Sequence, residues 1–120
     1  MTAVVSPGTP MPFVLAELRD LLSERLVAYL AGATETRVVN DWASGVRSIC
    51  NPQVEARLRY ALQVASMLAE YDDPPVVQAW FVGLNPQLGN RSPARMLREG
   101  ELDQVGPLVM RATRALIDCG

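Results

Sequence analysis

Apolar residues recur along this chain at spacings of three and four, and no segment alternates for long enough to suggest a strand. Leu15, Leu18, Leu22 and Leu26 begin the series; this is the stripe of an amphipathic helix and predicts a first helix over 13–22. Ser23 is placed to cap a second helix, with Leu26, Val27 and Leu30 inward and Gly32 ending it. A short turn near Thr34 leads to a third helix carrying Val38, Val39 and Trp42, closed by Gly45. Asn51–Pro52 pairs a capping side chain with a proline at the first helical position. The helix it starts runs to about Tyr71, with Val54, Leu58, Ala61, Ala65 and Leu68 on one face, and Asp72-Asp73-Pro74-Pro75 stops it. Val76, Val77, Trp80 and Phe81 mark a short helix, and the loop 83–90 breaks the chain again. Ser92–Pro93 repeats the cap-plus-proline start, and Gly100 ends that helix after two turns. Leu102, Val105, Val109, Ala112 and Leu116 define a last helix, which Gly106–Pro107 is expected to kink or split.

The fold class is therefore all-α. The expected organisation is a flexible arm over 1–12, a helix-turn-helix-like unit over 13–50, and a connecting helix plus a C-terminal helical unit over 51–120. At 120 residues, 49% apolar and 20% charged, the composition is that of one globular domain. The longest apolar run, Leu26–Ala31, is far below the roughly 18–20 residues of a membrane span. The segment before Phe13 lacks the positive charge and apolar core of a secretory signal. The expectation is a cytoplasmic protein.

Histidine is absent, which removes His-based general bases, His zinc ligands and Ser-His or Cys-His relays. Cys50 and Cys119 cannot form a thiolate metal site by themselves. The acids at 72–73 and at Glu99, Glu101 and Asp103 read as solvated helix ends. No catalytic residue, metal or cofactor is expected. All 11 basic residues are Arg, set against 13 acidic residues for a net charge of −2. That balance argues against a strong non-specific polyanion binder.

Residues 24–45 have the size and punctuation of a helix-turn-helix: Ala28 is small where two helices approach, and Gly32 falls where the turn needs positive φ. Val38 and Trp42 would pin the second helix, leaving Thr34, Glu35, Thr36, Arg37 and Asn40 outward, with Arg47 just beyond. Arg and Asn suit guanine and adenine edges and Thr suits phosphate, so Thr34, Thr36, Arg37, Asn40 and Arg47 are the candidate DNA-binding residues. Glu35 and Asp41 oppose a polyanion, and residues 33–60 carry a net charge of only +1. An αα-hairpin that only packs is the competing reading.

The most distinctive stretch is 79–101. It reads Ala79-Trp80, Leu84-Asn85-Pro86, Leu88-Gly89, Arg91-Ser92-Pro93, then Met96-Leu97-Arg98-Glu99-Gly100-Glu101. Physically this is a fixed loop, an arginine ahead of a capped helix, and a leucine to dock it. In order and type these residues resemble the toxin-binding domain of Xre/MbcA/ParS-type antitoxins, with Asn90 where a second glycine is usual. The resemblance covers roughly residues 15–117 and is specific over 80–101. It implies an antitoxin that dimerises, binds a RES-domain toxin that consumes NAD, and represses its own operon by binding operator DNA. Carried onto this sequence, it assigns toxin binding to Trp80, Asn85, Pro86, Leu88, Gly89, Arg91, Ser92, Pro93, Arg95 and Arg98. A stand-alone helix-turn-helix regulator without a toxin partner is the alternative.

Overall fold

Local capping sets most of the element boundaries. In the computed structural model, which describes residues 8–119, seven helices follow one another with short connections: α1 (Met11–Leu22), α2 (Glu24–Ala31), α3 (Arg37–Ser44), α4 (Pro52–Ala69), α5 (Pro74–Val82), α6 (Pro93–Glu99) and α7 (Leu102–Cys119). A single 3-10 turn, Pro86–Leu88, lies between α5 and α6. Among the described residues there is no strand, only an isolated antiparallel bridge between Asn85 and Arg91.

Ser23 alone separates α1 from α2. Its Oγ accepts from the Leu26 N–H (3.3 Å), and its backbone sits at φ +96°, a region L-residues rarely enter. Asn51 caps α4 by accepting from the N–H groups of Gln53 (2.8 Å) and Val54 (3.4 Å). Gly32 and Gly45 end α2 and α3 in the left-handed conformation.

Three expectations need correction. The first helix begins at Met11 rather than Phe13, because Pro12 falls in the first turn, where its missing N–H has no helical partner to lose. Of the arm expected over 1–12, residues 1–7 lie outside the described residues, and Met11 and Pro12 are helical. Of the kink or split expected at Gly106–Pro107, the split is absent: α7 is continuous, with Pro107 inside it near its start.

The core is one cluster drawn from every helix. Val14, Leu15, Leu18 and Leu22 bury one stripe of α1, which packs on α4, α3 and α5. Beyond the expected face of α4, Leu62, Val64 and Ser66 are buried as well, because α1, α2, α5, α6 and α7 all pack around it. No helix among the described residues is long and apolar enough to cross a membrane.

Candidate functional site

The stretch after α5 is held almost entirely by its own backbone. Gly83 ends α5, and a Cβ there would stand 3.0 Å from the Ala79 carbonyl. The Asn85 N–H donates to the Arg91 carbonyl (3.2 Å), while the Asn85 carbonyl accepts from Leu88 (2.9 Å) and Asn90 (2.9 Å). Its side chain accepts from the Gln87 N–H (2.9 Å), so Asn85 closes the loop from three directions. Leu88 is buried and anchors the loop in the core. Gly89 and Asn90 then take consecutive left-handed conformations, at φ +67° and +61°. Asn is the non-glycine residue best suited to that conformation, which accounts physically for Asn90 where the resembling sequences carry glycine.

Ser92 accepts from the Arg95 N–H (3.1 Å) and caps α6, with Pro93 at the first position. Pro93, Ala94, Met96 and Leu97 turn inward. Of the ten residues assigned to toxin binding, Leu88 and Pro93 are therefore buried supports, and Asn85 and Ser92 are half-buried caps. Trp80 is half-buried, its ring edge-on to Phe81 with centroids 5.4 Å apart. Trp42 is likewise half-buried.

Pro86, Gly89, Arg91 and Arg95 are the assigned residues that face outward. Arg91 uses its Nε on the Leu88 carbonyl (3.3 Å), and Arg95 pairs with Glu99 (3.2 Å) on an open surface where such pairs contribute little. Arg98 is committed elsewhere. Its Nη1 donates to the Tyr29 carbonyl (3.2 Å), and its guanidinium lies 4.5 Å from the centre of the Tyr29 ring. Arg57 donates beside it to the Leu30 carbonyl (2.8 Å). The two arginines satisfy carbonyls in the last turn of α2, where the helix dipole favours cations. Burial, and then the neighbouring Arg98, holds Arg57 below its ordinary value. Sequence reasoning missed Tyr29 and Arg57 because their partners lie far away in the chain.

The candidate DNA-binding residues Thr34, Thr36, Arg37, Asn40 and Arg47 are all exposed, around α3. Val39 is the buried residue of that helix, and Val38 and Trp42 are half-buried. Arg37 pairs with Glu35 (3.3 Å) and Arg47 with Asp41 (3.8 Å), while Asn40 accepts from Arg19 of α1. The acids noted in the sequence thus sit directly on the arginines that would meet phosphate or base.

These features define a small all-α protein with a braced loop-and-helix segment ahead of and including α6, and a short, largely exposed helix, α3. No protein-family model matches the chain, and no curated protein matches it. Among solved structures it is similar to the MbcA antitoxin in the crystal structure of the M. tuberculosis MbcT-MbcA toxin-antitoxin complex. The TM-score is 0.67 at 24% identity, over 91% of this chain and 97% of that one. The two chains share a fold.

Proposed function

We propose that this chain is a non-catalytic antitoxin of a toxin–antitoxin pair. It binds a RES-domain toxin that consumes NAD and inhibits it by covering the nucleotide pocket. The chain acts as a cytoplasmic homodimer and represses its own operon through the face around Arg37. The observation that carries this reading is the coincidence of two independent signals: the fold likeness to an antitoxin spans nearly the whole chain, and the 79–101 stretch that resembles toxin-binding domains is internally braced. A surface already fixed by Asn85, Gly89, Asn90 and Ser92 loses little freedom when a partner docks. It presents Arg91 and Arg95, suited to acidic groups on that partner.

The test is co-expression with a RES-domain protein encoded beside this chain. Arg91→Glu, exposed and outside the core, should leave thermal melting unchanged, release toxicity and lower cellular NAD. Truncation after Gly100 is a poor companion, because α7 carries the buried Val109, Ala112 and Thr113. Truncation after Arg114 spares the buried residues of α7 and gives up Ile117, which is half-buried against the core; where its melt shows it folded, it should also weaken protection. Full protection by both folded variants would overturn occlusion by this end of the molecule.

A further inference from the structure

Between α2 and α5 lies an open groove of about 630 Å3, floored by Leu22 and Ala94. The α5 wall is Pro75, Gln78, Ala79 and Val82, which is one helical face at i, i+3, i+4 and i+7. On the opposite side α2 contributes Leu26 and Tyr29, with Arg25 beside them. A groove between two helices, walled on one side by such a face, is of the kind that a third helix fills by ridge-into-groove packing. Val82 is 59% exposed, and Val76 and Leu84 on α5 and its following loop are 50% and 76% exposed. Gln78 is not available to a ligand, since its side-chain amide donates to the Leu21 carbonyl (3.2 Å).

The charge pattern narrows the occupant. Arg25 is the ionisable group with formal charge among the lining residues. Among the described residues Arg25, like Arg57, Arg91, Arg98, Arg111 and Arg114, has no carboxylate within 4.0 Å, and of these it is the one that lines this groove. An apolar channel with one uncompensated cation on its wall is complementary to an apolar ridge bearing a carboxylate. Ala79, Val82, Ser92 and Ala94 belong to the stretch proposed above for toxin binding, so the groove continues that face.

We propose that this groove receives one amphipathic helix of the partner toxin, its apolar ridge between α2 and α5 and a carboxylate beside Arg25. The inference rests on the antitoxin reading. Its test uses the RES-domain protein encoded beside this chain, purified with it as a complex. Arg25→Glu and Ala79→Arg change exposed side chains, so both should melt like the parent while binding the toxin at least tenfold more weakly. A photocrosslinking residue at position 82 of the full chain should attach to a helix of the toxin. If the parent binds and both variants bind equally well, the groove is not the docking site, though the antitoxin reading stands. A crosslink from position 82 to a second copy of this chain overturns the inference in favour of a self-interface. Failure of the parent to bind the toxin at all overturns both.

Discussion

Gly100 shows how little room one residue has at the joint between α6 and α7. A Cβ there would run into Val105 Cγ1 and stand 3.0 Å from the Met96 carbonyl. The valine is β-branched and stiff, and the carbonyl accepts the helix-closing N–H of Gly100 itself (2.9 Å). Gly100→Ala should therefore destabilise by about 1–3 kcal/mol, as overpacking does. A thermal melt should fall by at least ~4 °C; an unchanged melt would show that the joint relaxes freely. That Gly100 ends a helix was legible from the sequence, because helix stops are local. That it must be glycine was not, since the constraint comes from Val105 folding back. The same division holds for the arginines. Arg91 and Arg95 stand outward around the start of α6, whereas the attachment of Arg98 to Tyr29 crosses 69 positions of sequence. Nothing near Arg98 in the chain announces it.

At the level of elements, a polar contact set into an apolar seam joins α4 to α7. The Tyr60 hydroxyl donates to the Gly106 carbonyl (2.6 Å), and the ring lies so close that a Cβ at Gly106 would be 3.3 Å from its Cζ. Burial raises the Tyr60 phenol above its ordinary value, with Arg114 pulling weakly the other way. A raised value in the folded state means that the unfolded chain releases this proton first. The contribution is therefore fully present below the ordinary tyrosine value near 10 and is lost as pH climbs through the folded value. Tyr60→Phe should cost about 1 kcal/mol at neutral pH, the net worth of one hydrogen bond. It should also flatten the fall in stability above about pH 10. Parallel alkaline melting curves for the two proteins would contradict the assignment. Helix order, the cap at Asn51 and the stops at Gly32 and Gly45 were readable because each is written in adjacent residues. The breadth of the buried surface on α4 was not. Its sequence shows one stripe, and only the packing of five other helices around it explains why Leu62 and Val64 are also inside.

Across the whole molecule, the sequence suggested two successive units, 13–50 and 51–120, and the helices pack across that division as well as within it. α1 packs on α4 and α5, and α2 packs on α6. Arg57 and Arg98 from the second half close the end of α2 in the first. The radius of gyration is 13.4 Å, close to the roughly 13.6 Å expected of a single compact body of this length. Residues 8–50 alone would leave to water the part of the α1 stripe that packs on α4 and α5, and burying such side chains is the main driving force available to a chain this small. The halves should consequently unfold together. Trp42 on α3 and Trp80 on α5 are natural reporters, one in each half, and both are half-buried. Trp42→Phe leaves Trp80 to report on the second half, and Trp80→Phe leaves Trp42 to report on the first. In each variant the fluorescence transition should coincide with the loss of helical circular dichroism, the signature of two-state unfolding. A fragment of residues 8–50 should show no cooperative melt. Separate transitions for the two tryptophans, or a folded fragment, would mean that the α1–α4 and α2–α6 contacts dock two independent units instead of building one core.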